Sequence, residues 1–138
     1  DPIRELNMKN RTRLPLAAVI WSLGSVAIAG DFDGSKPLIC APVEAMECHT
    51  GEGCEKGIPD DVGAPAFMRI DFAKKVIVGP KRTSPIRAME KDENQVLLQG
   101  TELGLAWSIA LNTATGRMVS TFSSRDGAFV LFGSCTPL

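Results

Sequence analysis

The sequence predicts an all-β fold: a small antiparallel up-and-down barrel or half-barrel, with a β-sandwich as the alternative. Three observations lead to this prediction. Short runs of apolar and β-branched residues follow one another from Ala66 onward, turn residues separate them at a spacing of about 10 residues, and no run after residue 29 has a helical period. The 138 residues provide for one domain with a modest core.

The first 29 residues carry the pattern of an export signal. An uncharged apolar run at 14–29 follows a basic group, Lys9, Arg11 and Arg13, and ends with the small-x-small pattern at 27–29. This pattern predicts a signal peptide, or hydrophobic helix, over residues 8–29 with cleavage before Gly30. The alternative is an uncleaved membrane anchor, because the run reaches the short limit of the ~17–25 residues that span a bilayer. Residues 1–7 are expected to be a remnant of upstream translation or of cloning.

Four cysteines follow the predicted signal, Cys40, Cys48, Cys54 and Cys135. An even number of cysteines in an exported domain predicts disulfides, which here allow three connectivities. We expect Cys48 to pair with Cys54, because the loop between them contains two glycines that permit a tight turn. Cys40 would then pair with Cys135 and join the first strand to the last. No metal site is predicted, because the sequence lacks the C-x-x-C and H-x-x-x-H spacings.

The exported part divides into two regions of one domain. Residues 30–65 are rich in Gly, Pro, Asp and Glu, and are predicted to be an irregular, disulfide-pinned segment with one strand at 38–46. Residues 66–138 are predicted to form the antiparallel sheet. The expected strands there are 67–72, 76–78, 84–89, 95–99, 105–111, 117–123 and 129–132.

The hairpin formed by the strands at 105–111 and 117–123 is the clearest element of the predicted sheet. Residues 112–116 have the composition of a hairpin loop, with Gly116 available for a positive φ. Pro85 marks the strand at 84–89 as an edge strand, since proline cannot donate to a central ladder. The strand at 95–99 is expected to stop at Gly100, and Cys135 is expected just beyond the last strand.

Four residues are candidates for an apolar ligand pocket. Trp107 is expected on the inward face of a central strand, where burial as a core anchor is the simpler interpretation. If the barrel is wide enough to hold a cavity, Trp107 would line it together with Phe72, Met118 and Phe132.

The sequence offers no motif for catalysis. His49, the only histidine, lies in the glycine-flanked cysteine loop, and no G-x-S-x-G elbow positions a serine nucleophile. The acidic pairs sit in predicted turns rather than in apolar surroundings. We therefore expect a protein that is not an enzyme and that uses no cofactor and no metal.

Five basic residues surround the second and third strands of the predicted sheet: Lys74, Lys75, Lys81, Arg82 and Arg87. Lysine commonly protects an exposed strand edge from pairing with another chain, and this explains the group without any partner. The functional alternative is a contact patch for an acidic partner or a membrane headgroup surface.

These observations together predict an exported binding or accessory protein, periplasmic or secreted, whose partner is an unknown protein or a small apolar ligand. The alternative is an accessory subunit of a larger envelope complex, anchored in the inner membrane with its β domain outside the cytoplasm, and an enzyme is the third and less favoured interpretation. Membrane contact is expected only if residues 14–30 are retained, and no nucleic acid is expected, because the chain without its N-terminal basic group is mildly acidic. In outline, the strand plan is similar to small periplasmic β-barrels such as lysozyme-inhibitor or lipocalin-like domains. This likeness concerns the fold alone and implies no residue roles.

Overall fold

The computed structural model describes residues 30–138, which fold into an all-β domain. Its strands are β1 (Leu38–His49), β2 (Gly53–Gly57), β3 (Met68–Asp71), β4 (Val76–Val78), β5 (Thr83–Pro85), β6 (Ala88–Lys91), β7 (Gln95–Glu102), β8 (Leu105–Asn112), β9 (Arg117–Ser123) and β10 (Gly127–Pro137). One short 3₁₀ helix, Pro59–Val62, interrupts the strands in this part of the chain. The predicted signal at 8–29 and the residues before it lie outside the described residues.

The strands form one antiparallel sheet that curls into a half-barrel. Its order is β5-β4-β3-β1-β10-β9-β8-β7-β6, and β2 pairs with the end of β1. The two edge strands, β5 and β6, are consecutive in the chain and are separated only by Ile86 and Arg87. Ile86 N donates to Lys75 O at 2.8 Å on one side of this junction, and Arg87 N donates to Gln99 O at 2.8 Å on the other. The curl therefore brings the two edges of the sheet to the same bend.

This bend corrects the sequence-based strand at 84–89. The structure divides that segment into β5 and β6, which pair with different strands. The reason lies at Ile86, which is buried in the core. At this residue the chain turns, stops pairing with β4 and begins to pair with β7. The expectation that Pro85 marks an edge strand agrees with the position of β5.

One end of the half-barrel is filled with side chains, and we call it the packed end. Phe32 covers this end beside the β8–β9 turn, where Gly116 has φ 72° and takes the positive-φ position expected of it. A Cβ atom on Gly116 would lie 2.5 Å from the Phe32 ring, so the glycine also makes room for that ring. The core residues around it include Leu38, Cys40, Ile70, Phe72, Ile86, Val96, Leu98, Leu111, Met118 and Cys135.

Two disulfides join directly opposed residues of neighbouring strands. Cys40 bonds Cys135 between β1 and β10, and Cys48 bonds Cys54 between β1 and β2. This is the pairing that the sequence predicts. Cys135, however, lies inside β10 rather than beyond it, because β10 continues to Pro137 in pairing with β1. Two disulfides are compatible with an oxidising compartment outside the cytoplasm.

The segment before residue 66 contains more strand than its composition indicates. β1 extends to His49, and β2 folds back on it after a turn at residues 50–52. Between residues 30 and 138, no helix is long and apolar enough to cross a bilayer.

Candidate functional site

A cavity of about 430 Å³ lies at the end of the half-barrel opposite the packed end. We call this the open end, and the β4–β5 and β7–β8 turns border it. Its volume falls within the ~300–1,000 Å³ of typical ligand pockets. Its apolar lining comes from both sides of the curl and includes Met68, Ile77, Leu105, Trp107, Ile109, Phe122, Phe129 and Leu131, with the loop at 62–65 beside them.

An aromatic row forms one wall of the cavity. Trp107 on β8 pairs in register with Phe122 on β9, and Phe122 pairs with Phe129 on β10. The Phe122 and Phe129 rings stack with centroids 4.5 Å apart and an interplanar angle of 14°. Trp107 is buried, whereas both phenylalanines are only half-buried. The row therefore offers apolar surface that the protein itself does not fully cover.

Four polar residues and one leucine lie at the mouth of the cavity. We define the mouth as Lys81, Arg82, Ser84, Glu102 and Leu103, all of which line the cavity. The Ser84 hydroxyl, almost completely buried, donates to the Glu102 carboxylate, and Arg82 Nε lies 3.7 Å from Glu102 Oε1. Because β5 meets β7 where the sheet edges converge, residues 18 positions apart in the chain share one hydrogen bond. The mouth thus combines a partly shielded carboxylate with two cations.

Leu103 occupies an unusual backbone conformation at this mouth. It forms the two-residue β7–β8 turn with Gly104, with φ of 48° at Leu103 and 81° at Gly104. Such turns favour asparagine or glycine at the first position, because a bulky side chain at positive φ is strained. The Leu103 side chain is also 77% exposed, so the core gains little from it. An apolar residue is therefore present where neither backbone nor packing favours it.

Ser120 carries a buried hydroxyl that has no hydrogen-bond partner among the described residues. It lies on β9 opposite Ile109 and Leu131, which both line the cavity. An unpartnered buried hydroxyl loses its hydration without compensation, which costs stability.

We expect Ser120→Ala to raise the free energy of unfolding by about 1 kcal/mol, because it removes this uncompensated group. Urea denaturation measures the change. Ser108→Ala is the matched control, since the Ser108 hydroxyl is hydrogen-bonded to Thr121 Oγ1 at 2.5 Å on the exposed side of the neighbouring strand. A loss of stability in Ser120→Ala would show that its hydroxyl has a favourable interaction.

The four sequence-based pocket candidates lie in three different places. Trp107 lines the cavity, Phe72 and Met118 are buried at the packed end, and Phe132 is 40% exposed on the outer face. Ligand binding by these residues stays a prediction. Phe129 was not among the candidates because it belongs to a run of four apolar residues, in which alternation does not indicate the inward face.

Most of the other polar candidates lie away from the cavity lining. His49 Nε2 is 3.0 Å from Glu47 Oε1, and this hydrogen bond raises the pKa of the exposed imidazole above its usual value. Of the five basic residues near β4, only Lys81 and Arg82 line the cavity. Lys74 and Lys75 lie on the β3–β4 turn, at the opposite end of β4.

No family model, no curated protein and no solved structure matches this chain. Among residues 30–138, no three His, Cys, Asp or Glu side chains are grouped as they would be to hold a metal ion.

Proposed function

We propose that this protein is a non-catalytic binding protein that works outside the cytoplasm and holds a small apolar ligand in the cavity at its open end. The observation that carries the proposal is the aromatic row on the wall of a cavity of about 430 Å³, in which Trp107 is buried and Phe122 and Phe129 are half-buried. A domain of this size normally fills its interior with its own side chains, as this one does at its packed end. Unfilled space beside exposed aromatic surface favours a ligand.

The two edges of the curled sheet meet beside the cavity. The Ser84 hydroxyl on β5 donates to the Glu102 carboxylate on β7, and the chain passes from β5 to β6 through only Ile86 and Arg87. In our proposal the sheet acts as a closed up-and-down barrel, which small-ligand carriers use to surround an apolar molecule. Entry is then through the mouth, because the packed end is filled.

The location outside the cytoplasm is supported by two independent features. The basic and apolar pattern of residues 8–29 is typical of a signal peptide. The disulfides Cys40–Cys135 and Cys48–Cys54 would persist in an oxidising compartment and would be reduced in most cytosols. Together they favour a periplasmic or secreted carrier.

The proposal is tested with N-phenyl-1-naphthylamine, a neutral apolar dye whose fluorescence rises in apolar surroundings. We expect the full chain to bind one dye molecule saturably. Leu105→Trp adds a large side chain to the cavity lining and should weaken dye binding by about tenfold or more, equivalent to ~1.4 kcal/mol. The measurement is a fluorescence titration at fixed protein concentration.

Ala106→Trp is the matched control, because Ala106 is the next residue of β8 and is exposed on the opposite face of the sheet. It adds the same side chain without filling the cavity and should leave the affinity unchanged. Equal affinity of the parent chain and Leu105→Trp would contradict binding inside the cavity. Absence of saturable dye binding by the parent chain would contradict the proposed function itself.

A further inference from the structure

The charge at the cavity mouth is unbalanced towards positive. Lys81, Arg82 and Glu102 are the charged residues in the lining, which gives two cations to one carboxylate. Glu102 is already engaged, since it accepts the Ser84 hydroxyl and pairs with Arg82. Lys81 forms no ion pair with any residue between 30 and 138. A negative group arriving at the mouth would therefore meet an excess of positive charge.

Arg82 has unused capacity to bind such a group. Its Nε is 3.7 Å from Glu102, beyond hydrogen-bonding distance, and its side chain is about half exposed at 51%. A guanidinium has five N–H donors in a planar fork that suits carboxylate, sulfate or phosphate oxygens. The backbone that carries it is fixed, because Gly79 N donates to Arg82 O at 2.9 Å across the β4–β5 turn.

The interior behind this mouth is suited to a tail rather than to a second polar group. Apolar side chains form most of the wall, and the aromatic row begins directly below the mouth. A volume of about 430 Å³ holds on the order of a dozen groups of water size, at ~30 Å³ each. Leu103 extends apolar surface outward to the rim, where it is 77% exposed.

We propose that the ligand is a free single-chain amphiphile with an anionic head, whose tail fills the cavity and contacts Leu103 while its head pairs with Arg82 and Lys81. This inference rests on the proposed function, because it requires an occupied cavity. Charge complementarity selects the head, and the apolar lining selects the tail. The strain at Leu103 is then explained by contact with the ligand, since neither the turn nor the core favours leucine there.

The first test compares three molecules with the same twelve-carbon tail: dodecanoate, dodecanol and dodecyltrimethylammonium. Each displaces N-phenyl-1-naphthylamine from the full chain below its micelle concentration. We expect dodecanoate to bind about fivefold more tightly than dodecanol, the effect of a half-exposed ion pair, and the cation to bind most weakly. The preference for dodecanoate should fall in high salt, because added ions screen exposed charges.

Neutral variants identify the groups responsible. Lys81→Gln/Arg82→Gln should remove the preference for dodecanoate while leaving the affinity for the neutral dye unchanged. Lys56→Gln is the control. Lys56 on β2 is an exposed cation that pairs with Glu44 on β1, and it lies outside the cavity lining. If the double variant keeps the preference, or if Lys56→Gln loses it equally, the assignment of the head to Arg82 and Lys81 is wrong.

Leu103→Asn separates ligand contact from a structural role. Asparagine tolerates positive φ better than leucine, so the melting temperature should rise by about 4 °C. The affinity for dodecanoate should fall by about fivefold, because apolar contact at the rim is lost. Opposite changes in stability and affinity support a ligand contact, whereas an unchanged affinity would exclude Leu103 from the site.

Vesicles distinguish a free amphiphile from a membrane surface. We expect any co-sedimentation of the full chain with phosphatidylglycerol vesicles to be the same for the parent and for Lys81→Gln/Arg82→Gln. Loss of vesicle binding in the double variant would instead assign the two cations to lipid headgroups. Equal affinity for all three twelve-carbon molecules, with the dye still bound, would overturn this inference and leave the proposed function standing. Failure of the dye to bind would overturn both.

Discussion

Removal of the Cys40–Cys135 disulfide should lower the free energy of unfolding by about 4.7 kcal/mol, the largest loss that we expect from any single crosslink. The bond joins residues 95 positions apart, so in the chain-entropy model it restricts most of the unfolded domain. Folded domains are stable by only ~5–15 kcal/mol, and the variant should therefore be marginal. Urea denaturation of Cys40→Ala/Cys135→Ala, followed by far-ultraviolet circular dichroism, measures the loss.

The second disulfide provides the control within the same chain. Cys48 and Cys54 are separated by only six positions, and the same model gives a loss of about 2.4 kcal/mol for Cys48→Ala/Cys54→Ala. Both pairs link directly opposed residues of antiparallel strands, but they differ in burial as well as in loop length, because Cys40 and Cys135 lie in the core whereas Cys54 is exposed. Both differences predict the larger loss for Cys40→Ala/Cys135→Ala, and equal losses would contradict the prediction.

Gly100→Ala should destabilise the domain by about 3 kcal/mol, because a core without free space cannot accept even one methyl group at this position. The added Cβ would lie 2.3 Å from Cζ2 of Trp107 and 2.8 Å from the backbone oxygen of Pro85. Trp107 pairs with Gly100 in register, so its indole occupies the space that a side chain would need. Thermal and urea denaturation measure the effect.

A double-mutant cycle isolates the contact with the indole. In a Trp107→Leu background, Gly100→Ala should cost less than in the parent chain, and the remaining cost should come from Pro85. Gly79→Ala is the control, since its Cβ would be 3.4 Å from the nearest atom, Arg82 O, and should change stability by less than about 0.5 kcal/mol. Identical costs of Gly100→Ala in both backgrounds would contradict a contact with Trp107.

Gly100 also illustrates how far local composition can predict a strand. Glycine usually weakens or ends a strand, so the sequence predicts a stop there, yet β7 continues to Glu102. The structure needs glycine at this position for space rather than for a turn. That need arises from Trp107 on the adjacent strand and from Pro85 across the junction, neither of which is evident from the local sequence.

The strands that the sequence predicts best are bounded by clear turn signals. Val76–Val78 and Arg117–Ser123 are found with the predicted limits. The sequence does not indicate β2, because all but one of its residues are exposed. Its pairing with β1 depends on backbone hydrogen bonds and on the Cys48–Cys54 bond. A strand without a buried face has no hydrophobic period to detect.

The candidate site was predicted only in part, because its residues meet through the curl of the sheet. Trp107 could be chosen from its place on an alternating strand. The contact of Ser84 with Glu102 could not, since it requires β5 and β7 to converge after both have paired with other strands. Phe129 and Phe132 show the second difficulty, because only the register of β10 determines which of the two faces inward.

The pairing of β1 with β10 also determines the order in which the domain can fold. β7, β8, β9 and β10 are linked by short turns, so each can pair with its neighbour soon after both are available. β1 pairs with β10, so that Cys40 lies opposite Cys135, 95 positions later, and such long-range pairing makes this step slow. The Cys40 and Cys135 side chains are held directly opposite each other only once β10 has paired with β1. We therefore expect the oxidation of these two thiols to be a late event. The oxidised pair would then mark chains in which β1 has paired with β10.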